Sequence, residues 1–471
     1  MKKTKVGILT FSDGRDYIHK SLEDLNWRYQ RKLAEALEAT GEVEVVQADE
    51  IVWNNETANR QGARLAASGC DLTILNYAIW CFPHLSALAT RFAPGPYLLF
   101  GNLHPSEPGM VGMLAAAGAM DQLGERYSRV WGDIADPEVL ARVMSFVRAA
   151  GSLAKLRGQT YGLFGGRPLG MLSAVANQDE WMKIFGVDVE HIEQEDVVRA
   201  SAKVDPARIE NGFKWLTEHV GEIRYDGDGL TPEKLKLQIA SYHAFRDIIA
   251  ERKLDFVGTK AHGDLTDRFV TVDIAEAFLN DPYDWEGPHE PIVAATEADM
   301  DGALTMQLFK HITGEPVLFA DVRHYDKAAD VWYFSNSGTH ATYFAGRSLD
   351  PTVNLKGVTF YPEKNYYPSG GASVHHFAAP GRVTLARLAR KDGRYWMAIV
   401  PAEFIGFPRE LALQMGSTVT PEWPIAFTRI GCSPEVFLGE FPCNHIHGCY
   451  GDWVNELLHV AKLLKIEAKV F

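Results

Sequence analysis

Over roughly the first 320 residues, short apolar runs alternate with amphipathic helical stretches, and this alternation constrains the fold more than any other feature. Residues 4 to 11 (TKVGILTF) predict a strand, followed by the loop Ser12-Asp13-Gly14-Arg15 and a helix over 21 to 39. Further strands are predicted at 42 to 48, 70 to 77 and 96 to 100. Near residue 155 the pattern restarts, with strands at 158 to 164, 185 to 189 and 254 to 258 and a helix at 235 to 250. Strands alternating with helices mark a parallel, doubly wound α/β sheet. From Val331 onward the texture changes to short β-branched and aromatic runs between turns, which predicts an antiparallel, barrel-like β domain. A closing helix from about Asp452 carries Val454, Leu457, Leu458, Ala461 and Leu464 as its docking face. At 471 residues the chain exceeds one hydrophobic core. The expected organisation is an α/β domain over 1–155, a second over 156–320, and a β domain over 321–471 with the terminal helix.

A net charge of -14 argues against nucleic acid or an anionic membrane as the main partner. No apolar run approaches the roughly 20 residues that span a bilayer. The first residues, MKKTKVGILTF, are too short an apolar stretch for a signal peptide, so a cytoplasmic protein is expected. Five cysteines without CxxC spacing fit reduced thiols rather than a disulfide frame or a structural zinc site.

The stretch 293 to 326 is where chemistry is expected. It reads as strand, helix, strand, with Leu304, Leu308 and Ile312 at helical spacing. The first strand ends at Glu297 and the second at Asp321. If the strands lie side by side, both carboxylates face one cleft at the sheet edge where α/β proteins bind ligands. Two close carboxylates repel unless a proton or a divalent cation intervenes, and oxygen ligands suit Mn²⁺ or Mg²⁺. The alternative is that both acids are helix caps or solvated loop residues. His445, in a turn of the segment Asn444-His445-Ile446-His447 ahead of the last helix, is a candidate third ligand. His375-His376 is a rival pair, and Cys443 and Cys449 flanking the histidines raise a soft-metal site as a further alternative. Ligands spread over two domains would put the site between them. Arg15 and Trp80 stand at strand ends, where one could clamp a polyhydroxyl or anionic ligand and the other stack on a sugar.

These residues carry a resemblance. The sequence resembles the L-fucose isomerase family of aldose–ketose isomerases through Ala295-Thr296-Glu297 with Asp299 and Gly302, through Phe319-Ala320-Asp321-Val322-Arg323, and through Asn444-His445. It is also similar at Asp13-Gly14-Arg15, Trp80-Cys81, Gly101-Asn102, Asn336-Ser337-Gly338 and Trp423-Pro424. The resemblance implies a manganese ion, replaceable by Mg²⁺ or Co²⁺, on Glu297, Asp321 and His445. It implies a homo-oligomer, a hexamer, in which Arg15 and Trp80 reach a neighbouring subunit's site, and substrate contacts from Trp423 and Asn444. His262 or Lys260 stands where the family has a substrate-binding glutamine, which leaves the sugar open.

The chemistry expected of that set is interconversion of an aldose and a ketose through an enediol. Glu297 and Asp321 would serve as ligands and proton carriers, or a metal-bound hydroxide would carry the proton. Two other functions remain at this point. One is the same reaction on an anionic sugar such as sulfoquinovose, gripped by Arg15, Lys260 and His262. The other is a non-catalytic sugar-binding protein.

Overall fold

The computed structural model describes residues 3–337, 340–363 and 366–471; Gly338, quoted above, lies outside them. The chain forms two compact units: Met1–Ala154 with Asn455–Lys465, and Lys155–Val454 with Ile466–Phe471.

The first unit is built on five parallel strands, β1 (Thr4–Phe11), β2 (Val43–Gln47), β3 (Leu72–Tyr77), β4 (Tyr97–Asn102) and β5 (Tyr127–Gly132), in the order β2-β1-β3-β4-β5. Helices cover both faces. Leu33, Leu37, Val143 and Phe146 pack with Val6, Ile8 and Ile74 on one side, and Leu65, Leu85, Met113 and Met120 pack with Leu9, Leu75 and Leu99 on the other. Burial on both faces explains why these strands read as continuous apolar runs. The C-terminal helix, Val454–Leu464, is counted with this unit from Asn455 onward, and Leu463 joins its core. Leu457 and Ala461 are buried as expected, but Leu458 is exposed, and Val460 and Leu463 complete the docking face instead.

The second unit holds a four-stranded parallel sheet of β6 (Thr160–Phe164), β7 (Asp188–Ile192), β8 (Phe256–Thr259) and β9 (Ala294–Thr296), ordered β9-β8-β6-β7. The strand expected at 185 to 189 starts later, because Phe185 ends the helix Gln178–Phe185. The region expected to be antiparallel β is a seven-stranded mixed sheet. Its strands are β10 (Leu318–Asp326), β11 (Val331–Ser335), β12 (Gly381–Lys391), β13 (Arg394–Phe404), β14 (Ile425–Ile430), β15 (His445–Tyr450) and β16 (Glu467–Val470). They run β12-β15-β10-β11-β14-β13-β16, and β12 also pairs with β13. Among the described residues, the sheet's one parallel strand pair is β16 on β13.

One helix, Met300–Thr313, packs against the four-stranded and the seven-stranded sheets of this unit, and all of its residues but Thr313 are buried. Several of its polar side chains find partners inside. Asp301 accepts from Arg390 (2.8 Å), Tyr395 (3.0 Å) and Trp181 (3.3 Å), and Gln307 donates to Gln159 (3.0 Å). A buried polar group without such partners would cost ~1–3 kcal/mol. The side-by-side arrangement of β9 and the strand of Asp321 does not occur. The latter is β10, which belongs to the mixed sheet, and Asp321 lies within it rather than at its end. No helix among the described residues is long and apolar enough to cross a membrane.

A candidate metal centre and its surroundings

Three local devices bring Glu297, Asp321 and His445 together in the second unit. At the end of β9 the chain reverses through Glu297 (φ 56°) and Ala298 (φ 47°), two consecutive non-glycine residues in the left-handed region. Each costs roughly 1–2 kcal/mol, and strain of this kind concentrates at functional sites. The reversal is pinned by Ala298 N–H donating to the Thr259 carbonyl at 2.8 Å. It is followed by Asp299, whose carboxylate caps the long helix by accepting from Gly302 N–H at 3.0 Å. On the other side, β10 and β15 are antiparallel with Asp321 directly opposite His445. Opposed residues present their side chains to the same face of a sheet. His445 is therefore a strand residue, not a turn residue. The register of the β10–β11 pair slips between Val322 and His324, just past Asp321.

The result is a tight cluster. His445 Nε2 lies 2.8 Å from Glu297 Oε2 and 3.5 Å from Asp321 Oδ1, while His445 Nδ1 lies 2.6 Å from Asp299 Oδ2. The two Asp321 oxygens accept from Asn444 Nδ2 and Asn336 Nδ2, each at 2.9 Å. His262 Nε2 stands 3.4 Å from Glu297 Oε1, and its ring stacks on Tyr367 with centroids 5.1 Å apart. His445 is buried, Glu297 nearly so, and Asp321 retains 23 % of its side-chain exposure, so the cluster opens to solvent on the Asp321 and Asn444 side.

The electrostatics follow from burial and pairing. Burial pushes the Glu297 carboxyl up, but His262 and His445 outweigh it and hold it at about 2. Burial raises the Asp321 carboxyl, partly offset by His445 and then reinforced by the Glu297 charge. Burial works against a charged His445, yet Asp299 and Glu297 beside it raise it well above the ordinary histidine range. In His447, burial and the Arg387 charge both act to keep the ring neutral.

Do these side chains suit a divalent cation? Among the described residues, no group of three or more His, Cys, Asp and Glu side chains stands as it is in an arrangement that could hold a metal ion. The donor set, one imidazole and two carboxylates, is nonetheless the chemistry such ions take. The decisive detail is that, among the described residues, Glu297 Oε2 and His445 Nε2, although 2.8 Å apart and buried, have no hydrogen-bond partner. Oxygen and nitrogen ligands about 2.1 Å from one ion stand about 3 Å from each other, close to the separations seen here. The residues fit the group in donor type, and the distances from His445 to Glu297 and to Asp321 are those of neighbouring ligands.

The other expected residues fall into two groups. His262 and Asn444 touch the cluster. Lys260 follows β8 but makes no hydrogen bond or ion pair to the cluster among the described residues. Trp423 donates its indole N–H to buried Glu363 (2.5 Å), with the Arg323 guanidinium 5.6 Å above its ring. His375 Nδ1 donates to the Trp423 carbonyl at 2.8 Å and the His376 ring lies 6.0 Å from that of His340, and among the described residues neither makes a hydrogen bond or ion pair to the cluster. All five cysteines are free, and Cys449 donates to the Pro316 carbonyl at 3.4 Å. Arg15 and Trp80 belong to the first unit. They follow β1 and β3, adjacent strands at which the order of that sheet reverses, the crevice where open α/β sheets bind ligands. There the Arg15 guanidinium forks onto Asp13 at 2.9 and 2.7 Å and stays half exposed.

Two residues at the centre escape sequence reasoning as functional partners: Asp299, behind His445, and Arg387, which grips Asp299 and is fully buried in β12. An arginine inside the otherwise apolar run VTLARLA was a signal that a buried acid must exist, but not of which one.

Comparison with known proteins bears on the family of the chain. Three family models match: L-fucose isomerase first N-terminal domain over residues 3–158, second N-terminal domain over 254–314, and C-terminal domain over 334–470. The chain is similar to L-fucose isomerase of Bacteroides thetaiotaomicron, at 24% identity covering 99% of this chain and 93% of the relative. It is also similar to L-fucose isomerases of Haemophilus influenzae and Streptococcus pneumoniae, each at 23% identity covering 98% of this chain and 92% of the relative. Among solved structures, an ABC transporter periplasmic solute binding protein from Actinobacillus succinogenes with bound D-allose is matched at 12% identity. That match covers 66% of this chain and 93% of the other, with a TM-score of 0.17, and carries no argument.

Proposed function

The chain belongs to the L-fucose isomerase family, and from that premise we propose that it interconverts an aldose of the L-fucose or D-arabinose type with its ketose through an enediol. The single observation that carries the reading is the approach of Glu297, Asp321 and His445 from two different sheets onto one point.

On this reading Glu297, Asp321 and His445 hold Mn²⁺, with Mg²⁺ or Co²⁺ as substitutes. The ion, when bound, supplies Lewis-acid stabilisation of negative charge developing on neighbouring sugar oxygens. The chain does the rest. The reaction needs a base to take the proton from C2 and return it at C1, and the Glu297 and Asp321 carboxylate oxygens are the groups placed for that work. Asn336 and Asn444, donating to the two Asp321 oxygens, keep that carboxylate from turning away. His262 beside Glu297 Oε1 presents a polar ring edge for a sugar hydroxyl, and Trp423 is proposed as a further sugar contact. Arg15 and Trp80 are proposed to complete the site of a neighbouring subunit in a hexamer of this cytoplasmic enzyme.

The anionic-sugar reading gains no support, since of Lys260 and His262 only His262 reaches the cluster. The test is an aldose panel assayed after chelation and again after Mn²⁺ is restored. Isomerisation of L-fucose or D-arabinose that vanishes and returns is the expected result. Turnover indifferent to chelation would refute the metal part, and no turnover of any aldose would refute the whole.

A further inference from the structure

We propose that Asp299, clamped by Arg387, is a positioning residue that fixes the ring orientation and tautomer of His445 and thereby sets the affinity of the cation centre. The inference rests on the metal reading given above.

The Asp299 carboxylate is fully buried and surrounded by donors. Its Oδ1 accepts from Gly302 N–H at 3.0 Å and from Arg387 Nη2 at 2.9 Å, and its Oδ2 accepts from Arg387 Nη1 and faces His445 Nδ1 at 2.6 Å. An ionised carboxylate has no proton to give, so Nδ1 must carry the hydrogen of that contact. The nitrogen left for a metal is Nε2, the one aimed at Glu297 and Asp321. Carboxylate behind histidine behind cation is a recurring arrangement, because the carboxylate fixes the tautomer and makes the ring a better ligand.

Arg387 in turn keeps Asp299 from rotating. Besides its two bonds to Asp299, it donates through Nη1 to His447 Nε2 at 3.1 Å and through Nη2 to the Ser173 carbonyl at 3.3 Å. A guanidinium has only donors, so His447 must receive it with a bare nitrogen. Phe319 packs against both histidine rings, with centroids 4.7 Å away, and closes the remaining direction in which His445 could swing. Burying an arginine and an aspartate together is costly, and apolar side chains of similar size commonly stabilise a core as well or better. Holding a ligand in one orientation is a task that apolar side chains cannot perform. Glu297 and Asp299 are two residues apart, so a single strained turn delivers both a ligand and the group that orients another ligand.

The test uses the full-length protein stripped of metal and titrated with Mn²⁺ by calorimetry, with the visible absorption of the Co²⁺ form as a second readout. Asp299→Asn is nearly isosteric and keeps an acceptor for the helix cap. Its amide, facing Nδ1, drives the imidazole proton onto Nε2. Mn²⁺ affinity is expected to fall about 10- to 100-fold, with an altered Co²⁺ spectrum. Arg387→Lys keeps the charge but loses the fork, and is expected to lose less, up to about 10-fold; it serves if Asp299→Asn does not fold. A merely structural role would lower the unfolding temperature and leave affinity and spectrum of the folded protein unchanged, which would overturn the proposal. His445→Ala is the reference. If it binds Mn²⁺ as tightly as the parent, the metal reading itself fails. If it loses Mn²⁺ while folded Asp299→Asn and Arg387→Lys do not, the positioning role alone fails.

Discussion

Asp321 and His445 face each other across adjacent antiparallel strands, with His445 Nε2 3.5 Å from Asp321 Oδ1. A one-residue slip of that pairing would turn the imidazole to the opposite side of the sheet. Glu297 meets them from the edge of a different sheet, so the cluster depends on how the two sheets clasp the helix Met300–Thr313. Glu297→Gln and Asp321→Asn are each expected to lower Mn²⁺ affinity and turnover together. Several kcal/mol of lost stabilisation corresponds to at least about 100-fold in rate. Steady-state kinetics at graded Mn²⁺ would check this, and parental turnover in either variant would remove that residue from the site.

Trp423 and Glu363 form a buried donor–acceptor pair at 2.5 Å. Trp423→Phe leaves the carboxyl without that donor and is expected to cost ~1–3 kcal/mol of stability. Adding Glu363→Met, which removes the stranded group, should recover most of it. Denaturant unfolding of the two single variants and the double variant closes the cycle, and strictly additive losses would mean that the two side chains do not act on each other.

Gly258 in β8 leaves no room for a methyl group. A Cβ there would run into the Tyr161 hydroxyl and lie 3.2 Å from the Ala298 backbone, inside the turn that aims Glu297. Gly258→Ala is expected to destabilise the protein by ~1–3 kcal/mol and to weaken Mn²⁺ binding as the turn shifts. Thermal unfolding and calorimetry on one preparation test both effects, and an unchanged unfolding temperature would contradict the close packing.

Asp281 offers a pH test away from the cluster. Burial pushes its carboxyl up to about 7, against donors from Thr342 N–H (3.0 Å), Thr342 Oγ1 (2.6 Å) and Tyr343 N–H (2.8 Å). The folded chain then binds this proton more tightly than the unfolded one. Its contribution is full below about pH 4 and is lost as pH rises toward 7. Asp281→Asn cannot titrate and gives up an acceptor, so it should be less stable than the parent at pH 4. The gap should narrow steadily toward pH 7. A gap that stays constant or widens would show that the three donors outweigh burial.

Much of this was legible in the chain. The apolar runs identified four of the five parallel strands of the first unit, because strands covered on both faces carry continuous apolar residues, and missed the edge strand β5, whose buried and exposed residues alternate. Leu304, Leu308 and Ile312 marked the central helix. Glu297 and Asp321 could be named because each follows directly on an apolar run, and His445 because Asn444-His445 stands ahead of the last helix and resembles a family segment. Their partners could not. Asp299 caps the central helix, but the same carboxylate also holds His445, and one local sequence cannot show both uses. Lys260 and His262 looked equivalent, and only the path of the loop after β8 separates them.

The sequence by itself determined where strands and helices form, since periodicity and turn residues are local properties of the chain. The tertiary structure decided that Asp321 lies on the mixed sheet opposite His445 and that Arg387 is spent on Asp299. Those choices depend on strand pairing across more than a hundred residues and on the need of each buried charge to find an opposite one. That need is satisfied by proximity in space, of which spacing along the chain carries no record.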